Sequence, residues 1–223
     1  MRASVLQSLL ETLSYNINQG SENIKIFEIG SVFRKNNSNK VDEREVVGGL
    51  ISGVEGKDNW SGSNKAMDFF DLKGNIETIL PDSSKFTFKK GQVSYLHPGK
   101  TAFLYKAQTL VGYIGTVNPK LLDKFDIKSV VNFFEIDINE ISRNRSLKFK
   151  KFSRYPLAQR DLSFVVNEDA ASSTITAAIA SKAGSDLKAA NLFDVYVGKG
   201  ISKGKKSLTY SLSWQSENRT LTD

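Results

Sequence analysis

A cluster of lysines near the end of the chain is the set of residues whose type and spacing are best suited to ligand chemistry. Lys199, Lys203, Lys205 and Lys206 follow one another within a single short segment. Ammonium groups at this spacing repel one another, and solvent or a bound polyanion such as a nucleic-acid backbone relieves the repulsion. The spacing leaves two interpretations open: a solvated, solubilising loop and a phosphate-binding loop.

Two strand-like runs must hold this loop in place. The first ends near Val197, and in the second Leu208, Tyr210, Leu212 and Trp214 alternate with polar residues, which predicts one apolar face. The chain is expected to reverse at three glycines, which adopt positive φ without steric cost: Gly198, Gly200 and Gly204. Tyr196, at the end of the first run, is either a group that stacks on a base or a packed core residue.

No catalytic site is predicted. His97 is the only histidine, and the Pro98-Gly99 pair after it favours a turn over a general base. No G-x-S-x-G, P-loop or G-x-G-x-x-G motif occurs, and the absence of cysteine excludes disulfides and thiolate metal sites. Spacing singles out none of the scattered carboxylates, which include Asp68, Asp71, Glu135 and Asp137.

Length and charge bound the organisation. A chain of 223 residues with 39% hydrophobic content favours two modest cores over one, and the net charge is +7. Residues 147–223 contain 12 Lys and Arg against 7 Asp and Glu, so the basic excess lies mostly in the last third. No apolar run is long enough for a membrane helix and no signal-peptide pattern is present, so we expect a soluble, cytoplasmic protein.

The first domain, expected at residues 1–146, begins with an amphipathic helix capped by Ser4 and ended by Gly20. Its apolar residues follow the helical period and face either the domain core or a subunit interface: Leu6, Leu9, Leu10, Leu13 and Ile17. Residues 25–34 and 46–53 predict antiparallel strands, in which Glu28 points outward or has a buried partner. Gly48 and Gly49 indicate a bulge or a close backbone approach.

Residues 69–80 predict a second helix. Apolar runs between residues 85 and 137 predict an antiparallel sheet with a hairpin turn near residues 109–112. A short helix is expected to begin at Pro119. The Gly/Ser/Asn-rich segment 53–68 is expected to be mobile or ordered by a partner. These elements predict an α+β domain.

The second domain, expected at residues 147–223, follows a basic linker at residues 142–154. A strand at 160–166, a helix at 172–183 and the lysine-bearing hairpin give the order β-α-β-β, the first part of a split β-α-β fold. Thr220 and Asp223 indicate the start of another helix.

Several long motifs in order resemble the C-terminal part of the bacterial phenylalanyl-tRNA synthetase beta subunit. RYPLAQRDLSFVV, LFDVYVGKGISKGKKSLTYSL and RTLTD resemble its ferredoxin-fold anticodon-binding domain. MRASVLQSLLETLSYNINQG, IKIFEIGSVF, DFFDLKGNIETIL and YLHPGK resemble its class II synthetase-like module. The resemblance covers nearly the whole chain.

The resemblance implies a noncatalytic scaffold for the alpha subunit, which charges tRNA(Phe) using ATP and magnesium, in a tetramer of two alpha and two beta chains. No cofactor is expected in this chain. The implied interface lies in the first helix and the first strand, at Leu6, Leu9, Leu10, Leu13 and Phe27. The implied contacts to the anticodon stem-loop are Arg154, Arg160, Tyr196, Lys199, Lys203, Lys205 and Lys206, with pairing of the arginines to Asp161 or Asp194 as the alternative.

Compared with that family, the second domain lacks its last helix and strand, and the editing domain lies outside the chain. We therefore expect no hydrolysis of mischarged tRNA. Two other functions remain open at this point: a free-standing ferredoxin-like RNA-binding module, and an enzyme with a site around His97.

Overall fold

The computed structural model describes residues 1–35, 39–55, 65–80, 82, 85–141 and 152–221. The chain divides into two compact units, Met1–Ser146 and Leu147–Asp223, and each is described by itself. Both units combine helices with antiparallel sheets, which confirms the predicted α+β class.

Unit 1 is built on a six-stranded antiparallel sheet in the order β1-β2-β8-β7-β6-β5. Its strands are β1 (Ile24–Lys35), β2 (Val41–Ser52), β5 (Phe86–Lys90), β6 (Leu96–Lys106), β7 (Thr109–Val117) and β8 (Val131–Asp137), and two short strands, β3 (Val54–Glu55) and β4 (Lys65–Ala66), pair separately. Its helices are α1 (Leu6–Asn18), α2 (Phe69–Ile79), α3 (Pro119–Leu122) and α4 (Ile138–Ile141), with a 3-10 turn at Asp123–Phe125.

Helix α1 packs on one face of this sheet. Leu6, Leu9, Leu10 and Leu13 are 0–4% exposed and contact Val32, Leu50, Phe133 and other apolar residues of the sheet. Full burial of each leucine contributes about 1.5–3 kcal/mol to folding. The interface prediction therefore needs a correction for these four residues, since their side chains fill the core of their own unit and are not available to a partner.

The start of α1 also differs from prediction. Val5 occupies the N-cap position without a side-chain cap, although the Leu6 N–H still donates to Ser4 Oγ at 3.1 Å. Gly48 and Gly49 lie where this end of the helix and a ring approach the sheet. A Cβ on Gly48 would lie 2.2 Å from Val5 Cγ2, and the strand ladder there is regular, so the close-approach interpretation is right and there is no bulge.

Helix α2 packs on the opposite face. Asp68 and Asp71 form a capping box, which satisfies the free N–H groups at the first turn. Leu72 and Ile76 are 1% exposed and join a second cluster with Leu104, Ile114 and Ile136. Helices α1 and α2 therefore cover opposite faces of the sheet.

The predicted position of one turn in unit 1 is wrong. The β6–β7 hairpin turns before Thr109, where Ala107 adopts φ 52°, and residues 109–112 belong to β7. The segment 53–68, expected to be mobile or ordered by a partner, includes the small β3–β4 pair, and its residues 56–64 lie outside the described residues, so that expectation stays a prediction.

Unit 2 contains a three-stranded antiparallel sheet in the order β10-β11-β9 and one helix within the described residues. The elements are β9 (Ala158–Asn167), α5 (Ser172–Lys182), β10 (Leu187–Tyr196) and β11 (Lys205–Trp214), so the predicted β-α-β-β order is confirmed. Ile179 of α5 packs on Leu208, Tyr210 and Leu212 of the central strand. Most of the predicted linker and the predicted helix start at Asp223 lie outside the described residues.

Candidate nucleic-acid interface

The lysine-bearing loop joins β10 to β11 and is shaped by its own backbone. The Ile201 N–H donates to Gly198 O at 3.1 Å and the Lys205 N–H donates to Ser202 O at 3.0 Å, which closes two consecutive turns. Gly200 and Gly204 have φ of 94° and 78°, as predicted. Gly198 does not have a positive φ, and a Cβ there would lie 2.7 Å from the Tyr196 hydroxyl, so a larger residue would shift that ring.

The four loop lysines are presented to solvent at one end of the sheet. Lys199, Lys203 and Lys205 are exposed and Lys206 is half-buried. None of the four forms an ion pair with another of the described residues. Glu168 lies beside the loop, since its N–H donates to Gly204 O at 2.9 Å, but it forms no ion pair with these lysines. No ammonium group of the loop is therefore held by an acid among the described residues, and each can bind a polyanion.

Tyr196 lies beside this loop and outside the core of the unit. It is directly opposite Ser207 on β11, so it belongs to the face of the sheet that α5 does not cover. Its side chain is 45% exposed, and its hydroxyl donates to Lys199 O at 3.2 Å. That bond fixes the ring against the loop, and the exposed part of the ring is available for stacking.

The face that bears Tyr196 is mostly polar along β9 and β11, with Val165, opposite Ser207 and 55% exposed, as an apolar exception. Ser163 and Thr209 hydroxyls lie 3.0 Å apart across the two strands, and Gln159 donates to Ser211 Oγ at 2.6 Å. Phe193, at a bulge in β10, is 60% exposed. Sequence analysis missed these residues, although the regular Ser/Thr alternation in β11 was visible.

The two predicted arginines lie far from the lysines. Arg160 is opposite Leu212, whereas Lys205 is opposite Asn167, seven positions further along β9. At ~3.4 Å per strand residue the separation is roughly 24 Å. Arg160 donates to Gln159 O at 2.9 Å, and the Arg154 side chain is exposed beside Tyr155. The structure thus groups Tyr196 with the lysines and leaves the arginines at the other end; their pairing with Asp161 or Asp194 stays a prediction.

A cluster of polar side chains in unit 1 surrounds Glu135, which is 2% exposed. Its carboxylate accepts hydrogen bonds from Ser4 Oγ at 2.7 Å, from the Val5 N–H at 3.0 Å and from the Tyr113 hydroxyl at 2.6 Å. Arg34 Nη2 lies 3.9 Å away. Glu135 thus supplies the acceptor at the start of α1 that Val5 lacks in its own side chain.

Tyr113, Tyr95 and Glu28 have pKa values shifted from their ordinary values. The pKa of Tyr113 is raised mainly by burial and secondly by the charge of Glu135. The Tyr113 hydroxyl lies 2.6 Å from the Tyr95 hydroxyl. Burial also raises the pKa of Tyr95. Glu28 is the inward-facing carboxylate with partners: burial opposes its ionisation, but the Ser8 hydrogen bond and the Arg2 ion pair at 2.6 Å outweigh burial and lower its pKa. These contacts hold the N-terminal segment on the sheet.

His97 occupies a turn-like bulge in β6. Its Nδ1 accepts from the Gly99 N–H at 3.1 Å, and the backbone register shifts between Leu96 and Thr101. This geometry supports the turn interpretation. Among the described residues no group of three or more His, Asp or Glu side chains could hold a metal ion, and no helix is long and apolar enough to cross a membrane.

An apolar shelf on unit 1 is a further surface feature. Phe27, Ile29 and Ile79 are 72%, 52% and 45% exposed and border a cavity of about 450 Å³. Val47, Ile138 and Ile141 are among the other apolar residues that line it. We call these six residues the Phe27 shelf. Phe27 was predicted from the sequence as an interface residue, whereas the rest of the shelf depends on which residues meet in space.

A family model described as the phenylalanyl tRNA synthetase beta chain CLM domain matches residues 1–138, which is more than half of the chain. The chain belongs to the phenylalanyl-tRNA synthetase beta chain family. A second model, the ferredoxin-fold anticodon binding domain, matches residues 153–223. The family matches confirm the resemblance seen in the motifs.

Whole-chain comparisons agree with membership of the phenylalanyl-tRNA synthetase beta chain family. The phenylalanine–tRNA ligase beta subunit of Pseudomonas putida is 35% identical over 226 residues, and that of Vibrio vulnificus is 37% identical over 228 residues. Each alignment includes all of this chain but only 28% and 29% of the relative, so the chain spans less than a third of their length. Pyrrolysyl-tRNA synthetase from Desulfitobacterium hafniense is a structural neighbour with a TM-score of 0.46 and 14% identity, covering 63% of this chain and 48% of that one.

Proposed function

We propose that this chain is a noncatalytic part of a phenylalanine–tRNA ligase beta subunit, in which unit 1 is a scaffold for the alpha subunit and unit 2 binds the anticodon stem-loop of tRNA(Phe). The observation that carries the proposal is the order of the two family matches, one on each unit. The active form is a cytoplasmic tetramer of two alpha and two beta chains, and ATP and magnesium are used by the alpha subunit.

Electrostatics and shape support the RNA-binding half of the proposal. Four lysines without ion pairs among the described residues lie next to the exposed ring of Tyr196, at the end of a polar sheet face. Lysines neutralise phosphates, and an aromatic ring stacks on an unpaired base with about 1–3 kcal/mol per base. An anticodon loop offers both partners, since its bases are unpaired and its backbone is charged.

The Phe27 shelf supports the scaffold half. Exposed apolar patches on soluble proteins commonly mark sites of protein–protein contact. The shelf is contributed by β1, β2, α2 and α4, all of which are anchored in the core, so it is a firm surface for another chain. The buried leucines of α1 support the shelf indirectly, because they pack against the sheet to which its strand residues belong.

Co-expression with the phenylalanyl-tRNA synthetase alpha subunit tests the scaffold half. We expect a stable complex that survives gel filtration, and we expect Phe27→Ser with Ile29→Ser to weaken it at least tenfold. Val41→Ser is the matched control, since Val41 is also 51% exposed on a strand of unit 1 but lies outside the shelf. Absence of a complex with the unmodified chain would refute the scaffold role.

A tRNA titration of the same complex tests the RNA-binding half. Changing Lys199, Lys203, Lys205 and Lys206 to Ala should reduce the slope of log affinity against log salt by about 3, at ~0.7 per phosphate contact on a single strand. An unchanged slope would show that the loop lysines are solvated and do not bind phosphates. Binding of tRNA(Phe) without any alpha complex would instead support a free-standing RNA-binding module.

A further inference from the structure

Charge is strongly segregated in unit 1. Residues 83–122 contain six lysines and no aspartate or glutamate. Most of these residues form β5, β6 and β7, so the segregation in the sequence becomes a segregation on the surface. The half of the sheet that ends at β5 is basic although the unit as a whole is close to neutral.

Three of the six lysines lie on or beside the edge strand β5. Within the described residues β5 pairs only with β6, so its other edge presents unpaired backbone groups. Lys89 and Lys90 are consecutive and exposed on β5, so their side chains lie on opposite faces of the sheet at its edge strand. Lys100 is exposed next to Thr101, whose carbonyl accepts from the Gly91 N–H at 3.2 Å, so Lys100 lies beside the end of β5. These three lysines form what we call the β5 edge.

Nearby groups do not neutralise this edge. Lys89, Lys90 and Lys100 form no ion pairs with the described residues. Neighbouring lysines do have partners: Lys85 lies 3.3 Å from Asp82, and Lys106 binds Glu140. Lys89 Nζ lies 4.9 Å from the centre of the Tyr105 ring, which orients the charge without cancelling it. The edge strand therefore carries positive charge on both faces of the sheet, without an ion pair among the described residues.

The partner that suits this edge is a nucleic-acid backbone. Phosphate oxygens accept from lysine ammonium groups and from backbone N–H groups, and an edge strand offers both. RNA is the favoured polyanion because unit 2 of the same chain matches an anticodon-binding domain. We propose that the β5 edge of unit 1 binds an RNA phosphate backbone independently of base sequence. This contact is additional to the one assigned to unit 2.

A competing explanation is that the lysines prevent other chains from pairing with the edge strand β5. Charged side chains on an edge strand prevent pairing with other chains, and lysine is the residue most used for this. Charge of either sign serves that purpose, whereas phosphate binding requires positive charge. Replacement of lysine by glutamate therefore separates the two roles.

The test is RNA binding by the full chain, in complex with the alpha subunit where that complex forms, with a tRNA transcript and a mixed-sequence RNA duplex as probes. The variant is Lys89→Glu with Lys90→Glu and Lys100→Glu. The control is the same triple change at Lys35, Lys124 and Lys128, which are exposed lysines of unit 1 away from β5 and outside the Phe27 shelf, so the net charge changes equally. A melting curve of each variant verifies folding.

We expect the β5-edge variant to lose at least tenfold in affinity for both probes relative to the control variant, and its salt slope to fall by about 2–3, at ~0.7–0.9 per phosphate contact. Equal affinities and slopes in the two variants would overturn the inference and leave edge protection as the role of these lysines. The outcome is separable from that of the unit 2 proposal, which depends on the four loop lysines and is measured with its own variant.

Discussion

The substitution Glu135→Leu should detach the start of α1 from the sheet. Glu135 is 2% exposed and accepts the Val5 N–H, which is buried and has no other acceptor in the N-cap. A buried donor left without a partner costs about 1–3 kcal/mol, and the lost hydrogen bonds from Tyr113 and Ser4 add to this. Tyr113 keeps Tyr95 as a partner and Ser4 reaches solvent, which limits their share.

We therefore expect Glu135→Leu to lower the free energy of unfolding of unit 1 by about 3 kcal/mol, which for a unit of this size lowers the melting temperature by roughly 6–12 °C. Glu135→Gln keeps one oxygen acceptor and should cost about half as much. Calorimetry measures the melting transition, and hydrogen exchange reports the amides of Val5 and Leu6, which should exchange faster in both variants.

Glu45→Leu is the matched control, because Glu45 is an exposed acid on β2 of the same sheet and its replacement should change stability by no more than about 0.5 kcal/mol. A loss below about 1 kcal/mol in Glu135→Leu, or unchanged exchange at Val5, would show that the helix start does not depend on this carboxylate. The anchoring role assigned to Glu135 would then be wrong.

Three further outcomes follow from the contacts. The pKa of Glu28 is lowered in the folded chain, so the ionised carboxylate stabilises unit 1 fully at pH values above 4.5, its ordinary pKa. This stabilisation is lost as the pH falls through the lowered pKa. The stability difference between wild type and Glu28→Gln in denaturant titrations should therefore shrink below pH 4.5. Gly48→Ala should destabilise unit 1 by about 1–3 kcal/mol in the same titrations, because the new methyl group would lie 2.2 Å from Val5 Cγ2; a neutral effect would show that α1 shifts freely. Tyr196→Ala should weaken tRNA binding by about 5- to 150-fold in a filter-binding assay, as the loss of about 1–3 kcal/mol of stacking implies, and Tyr196→Phe should not, because the ring is retained.

Much of unit 1 was predictable because its signals are local. The helical period of the leucines of α1 and the strand pattern of residues 25–34 correspond to elements in the structure with ends shifted by one or two residues. The sequence did not predict whether these leucines pack within their own unit or against another chain, since a buried helix face has the same residue pattern in both cases. The Glu135 network joins residues 4, 113 and 135, and no local pattern connects them.

In unit 2 the lysine loop was visible as composition, and its position next to Tyr196 followed from the hairpin. The relation of Arg160 to the loop was not, because it depends on the register of β9 against β11, which no residue pattern fixed beforehand. The polar face could have been found from the Ser/Thr positions of β11, which alternate with Leu208, Tyr210 and Leu212.

The most direct measurement of the central claim is a crosslink between the β10–β11 loop and tRNA(Phe). A photoreactive residue placed at Ser202, which is exposed between Lys199 and Lys203, would be irradiated in the complex with the alpha subunit and tRNA. Our account predicts crosslinks confined to nucleotides of the anticodon stem-loop. Crosslinks only to other parts of the tRNA, or none from a complex that binds tRNA, would contradict it.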